Sequence, residues 1–588
     1  MTLILLAAGP LTMVFDTETA FLRYVKLGET ELVRGVFAAV RDQNWDTIPF
    51  VFDGFEIDRA EDSFSIRFVA NSRHIHVHFQ WIGTLHGSAS GEVSYQFSGT
   101  AAEPFLRNRI GLCVLHPGAA CAGVTCQVEH ADGSASQGTF PKSISPHQPF
   151  MNIRAIAHPI AGGISARVTM AGDVFEMEDQ RNWTDDSFKT YSTPLEIPFP
   201  VEVEAGIAIE QAVTIEIVGA PVTSIVHSPV PSDFCQVQVA WDDSTLRPAI
   251  GLGCPIAFEV NETVIEQLRR LKPEHLRVDI RFENSDWQQR LAGAMKLAGR
   301  CNASLELALF ARPDDSNHVR QLVSIIRGEG AVVARLLLFH PVEKVTPPAL
   351  LAIGEAIRAQ LCEAFPIVVG ADAYFAELNR GRPKLSEDRV VCYSFNPQVH
   401  AFDNLSLCET LQAQRETIDS AVAAFSADVV ISPITLRPRF NPNATTIIPP
   451  QVALQSAIDP RQSSGFAASW TLGTLASTAC HDRLRSLTFY EAYGPRGIMG
   501  ETGERFAMTE LFELILDSQM LFNATSDLPN QIVALASERS DGQRSVHLGN
   551  LSDRAIQVQL QCCDGGVQDI TLAAESIQTV IMKESKDG

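Results

Sequence analysis

Short apolar runs set two different rhythms along this chain. From the start to about residue 230 they alternate with polar residues or consist of β-branched side chains, as in Ser65-Ile-Arg-Phe-Val69, His74-Ile-His-Val-His-Phe79 and Val213-Thr-Ile-Glu-Ile-Val218. Gly, Pro, Asn and Asp break them, and no long helical period intervenes. Antiparallel strands with one face on a core and one in water read this way, so residues 1–230 are expected to form a β-sandwich. The opening Met1-Thr-Leu-Ile-Leu-Leu-Ala-Ala8 has no basic residues before it and is cut short by Gly9-Pro10, so it reads as a strand and not as a signal segment. Pro221 to Pro231, with three prolines, is a candidate linker.

From about Ala249 the rhythm changes to apolar runs separated by amphipathic helical patterns, which is the mark of repeated βα units. Eight strands can be placed: 250–256, 276–281, 305–310, 334–339, 367–370, 390–394, 429–432 and 487–490. The first helix between them has Asn261 as N-cap and Val264, Ile265, Leu268 and Leu271 at helical spacing. Eight units over residues 245–525 predict a (β/α)8 barrel like that of glycoside hydrolases, with a doubly wound sheet as the alternative. Strands return at 532–535, 545–548, 556–560 and 577–581, so a small C-terminal β-sandwich is expected over 529–588. The fold class is thus multidomain, α/β plus all-β.

Composition narrows the partners. The 588 residues carry 46 Lys and Arg against 69 Asp and Glu, a net charge of −23, which opposes nucleic-acid backbones and anionic membrane surfaces. No apolar window reaches the roughly 18 residues of a membrane helix. The 12 Cys are scattered without a C-x-x-C pair, so neither a disulfide scaffold nor a zinc ribbon is signalled, and a reducing cytoplasm is the expected compartment. No G-x-S-x-G, H-E-x-x-H, Walker A or post-strand G-x-G-x-x-G motif occurs, which counts against α/β-hydrolases and nucleotide enzymes. A small polar substrate, without cofactor or metal, is expected.

In a barrel, residues just past each strand converge on one mouth. Asp279 and Arg281 end the second strand and His340 the fourth. Asp372, Tyr374, Glu377 and Asn379 follow the fifth, Ser394, Asn396 and His400 the sixth, and Arg437 the seventh. Tyr490 and Glu491 end the eighth. Glu377 and Glu491 are the candidate catalytic pair, one carboxylate to activate water or attack and one carboxylic acid to protonate a leaving oxygen. Asp279, Arg281, Asn379, Asn396, His400 and Tyr490 are the candidate substrate-binding residues. The plainer readings are that Glu377 opens a helix and complements its dipole, that Glu491 pairs with Arg496, and that His340 and His400 cap hydrogen-bond networks.

Two metal-like patterns are set aside. His74, His76 and His78 would share one face of a strand, but no carboxylate or Cys completes the set. Cys113, Cys121 and Cys126 with His116 and His130 match no zinc module and read as buried thiols. A third concentration, Phe175 to Tyr191, mixes charged residues with four aromatics, as sugar sites and domain interfaces do.

That segment carries a resemblance. Glu176-Met-Glu-Asp-Gln-Arg-Asn-Trp-Thr-Asp185, Phe188-Lys-Thr-Tyr-Ser-Thr-Pro-Leu195, Pro198-Phe-Pro200, Ala39-Val-Arg-Asp-Gln-Asn-Trp45, Tyr374 to Arg380 and Ser394 to His400 resemble the D-apionate lactonase family of bacterial apiose catabolism. The resemblance runs through the chain. It implies a cytoplasmic hydrolase that opens D-apionolactone to D-apionate, built as a β domain, a barrel and a small C-terminal β domain. One departure stands out: barrel glycosidases carry their carboxylates after the fourth and seventh strands, whereas here they follow the fifth and eighth. Either the strand count is off by one or the chemistry has moved. The rivals are a glycoside hydrolase of the same architecture, a non-catalytic carbohydrate-binding protein and a metal-dependent lactonase.

Overall fold

A computed structural model describes residues 3–582, apart from 75, 161–162, 220–233, 257, 259–260, 447 and 563–564. The expected linker Pro221–Pro231 lies outside the described residues. The chain divides into two compact units, one of residues 1–181, 186–231 and 443–448, the other of 182–185, 232–442 and 449–588.

The first unit consists of two antiparallel sheets. One has eight strands, running in space from Leu3–Ala8 through Thr30–Asp42 and Phe105–Pro117 to Glu176–Asp179. The other has nine, from Ala135–Thr139 through Ala208–Val218 to Phe50–Arg59. Their inward positions share one apolar core, with Phe15, Val36 and Leu112 from the first sheet against Phe68, Trp81, Phe97 and Val213 from the second. The alternation in Phe64–His74 and Val77–Gly87, buried at every second residue, is what the two-residue strand period requires. The histidine run is not one strand. One strand ends at His74 and its antiparallel neighbour begins at Val77, with Arg73 opposite His78, so the three imidazoles do not line one face. Cys113, Cys121 and Cys126 are buried. Among the described residues no group of three or more His, Cys, Asp or Glu is arranged to hold a metal ion, and no helix is long and apolar enough to cross a membrane.

In the second unit eight parallel strands close into a barrel: Ala249–Gly253, His275–Arg281, Ser304–Phe310, Val333–Phe339, Ile367–Gly370, Val390–Phe395, Asp428–Ile434 and Leu484–Glu491. All eight expected strands are present, so the carboxylates stay after the fifth and eighth. The helix Glu262–Leu271 begins as expected, with the Asn261 side chain accepting from the Val264 amide at 2.9 Å. At the fifth strand the chain needs a glycine: a Cβ on Gly370 would meet the Cys392 carbonyl oxygen at 1.9 Å.

The barrel interior is divided. Ala308, Phe310, Leu337, Phe339, Val368, Val390, Cys392 and Val430 form an apolar cluster of the kind such barrels usually hold. The same interior also holds a charged column. Arg335 donates to Glu306 and to the Ser486 hydroxyl, both at 2.7 Å; Glu306 also accepts from Thr488 at 3.0 Å and from Ser432. Arg277 reaches the Ser432 carbonyl at 2.7 Å.

The C-terminal sheet is larger than expected. Its seven strands run Val567–Leu572, Ile556–Gln561, Phe234–Leu246, Ser518–Ser526, Ile532–Arg539, Arg544–Asn550 and Ser576–Ile581. Residues 529–588 therefore do not complete it. The strand before the barrel pairs in parallel with Ile556–Gln561 and antiparallel with Ser518–Ser526, which follows the barrel's last helix. Cys235, Val237, Val239 and Trp241 supply the alternate positions that bury against Phe522 and Val558. The helix Gly465–Thr478, buried nearly all round, carries this sheet: Ser469 donates to the Ser576 carbonyl, and Gly473 leaves space for Val533 and Leu411.

Candidate active site

The charged column surfaces at the carboxyl ends of the strands. Arg277, interior on the second strand, donates from Nε to Asp279 at 2.8 Å and from a terminal nitrogen to Asp372 at 2.6 Å. Arg439, beyond the seventh strand, reaches Asp279 at 3.3 Å and Asp372 at 2.7 Å. Arg281 lies 3.7 Å from the second oxygen of Asp372, its guanidinium 3.5 Å above the Phe310 ring. That oxygen of Asp372 is buried and has no hydrogen-bond donor among the described residues. Two carboxylates thus face three guanidiniums, with Arg281 and Asp279 the more exposed members.

Burial alone would raise the Asp279 carboxyl, but the guanidiniums of Arg277, Arg439 and Arg281 outweigh it and hold it well below the usual carboxylate range. Burial likewise opposes the Arg277 charge, and Asp279, Asp372 and Glu306 more than restore it. Asp279 is therefore a standing anion that accepts from hydroxyls and is a weak base.

The two glutamates sit in separate surroundings. Glu377 is in the first turn of the helix Phe375–Gly381, where its carboxylate accepts from the Tyr374 amide at 3.1 Å. Burial raises its pKa, against the lowering by Lys344 and Arg380. Glu491 accepts from Arg496; burial raises its pKa too, with Arg496 and Arg290 lowering it and Asp279 adding to the rise. The charged groups that act most on each carboxyl have no member in common. Both plainer readings describe what these side chains touch.

Asn379 donates to Asn182 at 3.1 Å and accepts from Arg382 at 2.9 Å. Asn396, buried, bonds to Tyr374 and accepts from the Gln398 amide at 3.1 Å. His400 meets Asp185 at 2.5 Å through Nδ1, and Trp183 stands edge-on to its ring at 5.2 Å. His340 accepts from the amides of Val342 and Glu343, a local cap. Tyr490 turns away from the mouth: its φ of 40° marks a bulge, because Gly253 pairs with Glu491 and skips it, and its hydroxyl meets Thr471 on an outer helix at 2.8 Å.

Of the expected binding residues, then, the structure brings Asp279 and Arg281 into the charged cluster, Asn379, Asn396 and His400 into a second group beyond the fifth and sixth strands, and Tyr490 into neither. Arg277, Asp372, Arg439 and Asp185 are not among the catalytic and binding candidates that the sequence points to. Asp372 stood at a strand end and carried that signal; Arg277 was hidden inside a strand, and Asp185 lies 215 positions from its partner.

The arrangement offers guanidiniums for a developing oxyanion, carboxylates for hydroxyls and a carboxyl of raised pKa for proton transfer. Matches to known proteins agree with a lactonase scaffold along most of the chain. A model of the D-apionate lactonase N-terminal domain matches residues 2–220, and one of the D-apionate lactonase TIM barrel domain matches residues 254–520. The D-apionate lactonase of Brucella anthropi is 28% identical over 516 residues, covering 85% of this chain and 84% of that protein. Among solved structures, an arabinofuranosidase from Xanthomonas axonopodis pv. citri aligns with TM-score 0.43 and 11% identity, covering 59% of this chain and 99% of that one. An endoxylanase from Clostridium papyrosolvens aligns with TM-score 0.40 and 11% identity, covering 60% and 100%. With both of its large domains matched by models of one family, this chain belongs to the D-apionate lactonase family.

Proposed function

We propose that the chain hydrolyses a five-membered sugar lactone, D-apionolactone, to the open hydroxy acid D-apionate. Membership of the family through both large domains carries this reading, and the barrel mouth has the groups the reaction needs. A lactone carbonyl attacked by water becomes a tetrahedral oxyanion, for which Arg281 and Arg439 are the donors; one such donor is worth roughly 3 kcal/mol. Asp279 and the second oxygen of Asp372, which accepts no hydrogen bond among the described residues, accept from the sugar hydroxyls. Glu491, raised by burial, is the acid that protonates the departing ring oxygen. Glu377 is committed to the Tyr374 amide and acts as a positioning residue for the turn that carries Asp372.

The test is a pH-drift assay of the purified chain over a panel of aldonolactones that includes the branched one, with Glu491→Gln alongside. Opening of D-apionolactone is expected, with turnover in Glu491→Gln lower by about 10²-fold. No opening of any lactone, with release of aryl glycosides instead, would replace the reading with glycoside hydrolysis.

A further inference from the structure

We propose that His400 is the general base that activates the attacking water, and that Asp185 holds it for that task; this rests on the lactonase reading above. The two side chains meet through His400 Nδ1 and a carboxylate oxygen of Asp185 at 2.5 Å, and are only 12% and 17% exposed. A carboxylate that accepts from Nδ1–H selects the tautomer whose basic nitrogen is Nε2, and it stabilises the imidazolium that forms when Nε2 takes a proton.

The ring is held from a second direction. Trp183 stands perpendicular to it, with ring centroids 5.2 Å apart at 88°, and the Arg380 guanidinium lies over the indole at 5.1 Å. Trp183 packs in turn on Ala373, Tyr374, Ala376 and Val399, and Asn182 accepts from Asn379. His400, Arg380 and the residues that Trp183 and Asn182 touch follow the fifth and sixth barrel strands, whose ends also carry Asp372 and Asn396. The dyad therefore belongs to the end of the barrel where chemistry is done in this fold. A contrasting pair, His481 with Asp419 at 3.1 Å, precedes the eighth strand and so lies at the other end.

In the step, Nε2 of His400 takes a proton from water as the water oxygen bonds to the lactone carbonyl carbon. The π pair moves onto the carbonyl oxygen. When the carbonyl re-forms, the bond from the acyl carbon to the ring oxygen breaks, the ring oxygen keeps its electron pair and takes the Glu491 proton. His400 then gives its extra proton to solvent and Glu491 takes one up, so water has been added across the ester and the enzyme is restored.

Steady-state kinetics on D-apionolactone test the assignment with His400→Gln, His400→Ala, Asp185→Asn and, as a control, His481→Gln. His400→Gln is expected to lower kcat by about 10²–10⁴-fold with KM within about threefold of wild type. Asp185→Asn is expected to lower kcat by at least about tenfold, added imidazole to restore turnover to His400→Ala, and His481→Gln to match wild type. A folded His400→Gln with kcat within about threefold of wild type overturns the proposal. Should the His400 variants not fold, the near-isosteric Asp185→Asn decides, and unchanged kcat overturns it. Wild-type protein that opens no lactone overturns the lactonase reading itself, an outcome distinct from the loss of His400.

Discussion

Arg277 ties the interior of the barrel to its rim. It is 3% exposed and links Ser432 in the interior to Asp279 and Asp372 at the rim. Removing one partner of a buried charge network leaves the others uncompensated, which costs about 3–5 kcal/mol, far more than the lost packing of its stem. Arg277→Met should therefore destabilise the unit holding the barrel by about that amount in chemical denaturation, and adding Asp279→Asn should restore part of it, since one of the stranded anions is then gone. A single variant as stable as wild type would show that the column is not bound together through this residue. The polar face of His275-Leu-Arg-Val-Asp-Ile-Arg281 was legible as alternation. Its direction was not, because alternation alone reads as a half-exposed strand, whereas in a barrel jacketed by helices the polar face is forced into the interior. Asp185 was illegible for another reason: nothing local in Asn182-Trp-Thr-Asp185 names a histidine 215 residues away.

At the scale of elements the eight barrel strands could be read from the sequence because each is a short apolar run bounded by an amphipathic helix, two periods that do not mimic each other. Phe234–Leu246 was missed although Cys235, Val237, Val239 and Trp241 alternate, because it follows a proline-rich stretch and belongs to a sheet whose next strands come nearly 300 residues later. The eighth strand shows what periodicity cannot reveal. Ser486 and Thr488 point inward, to Arg335 and His275, and strict alternation would send Tyr490 the same way. The bulge sends it outward to Thr471 instead, next to Phe489 on Phe512, and brings Glu491 back into register with Gly253. Gly253 is suited to that register, since a Cβ there would meet the Tyr490 carbonyl oxygen at 2.5 Å. Tyr490→Phe should accordingly cost about 1 kcal/mol, one buried hydrogen bond, as Thr471 keeps its bond to the Ala467 carbonyl. Its kcat and KM on the lactone should equal wild type; a drop of tenfold or more in kcat/KM would place the hydroxyl at the substrate.

For the whole molecule, acid is the informative perturbation, because buried histidines are built into three different sheets. His116 bonds to Thr190 in the eight-stranded sheet, His275 to Thr488 in the barrel, and His547 to Ser537 and Thr579 in the seven-stranded sheet. Burial pushes His116 and His275 down to about 3 and His547 down to about 4; for His275 the neighbouring Arg335 adds to the fall and Glu306 opposes it. Unfolded, each would titrate near 6.5. Below that pH the unfolded chain binds protons that the folded chain refuses, so stability present at neutral pH is lost as pH falls from about 6.5 towards 4. Each histidine contributes about 1.4 kcal/mol per pH unit to that slope. The net charge of −23 works the other way, since acid relieves its repulsion. At about 0.15 M salt, though, exposed charges are screened beyond roughly 8 Å, while the buried histidines are not. Melting followed at that ionic strength should therefore fall steadily from pH 7 to pH 5, and His547→Gln should flatten the slope for the unit that contains it by one histidine's share. Melting temperatures that held level across that range would mean that these imidazoles are protonated in the folded protein, contrary to the burial and hydrogen bonding described.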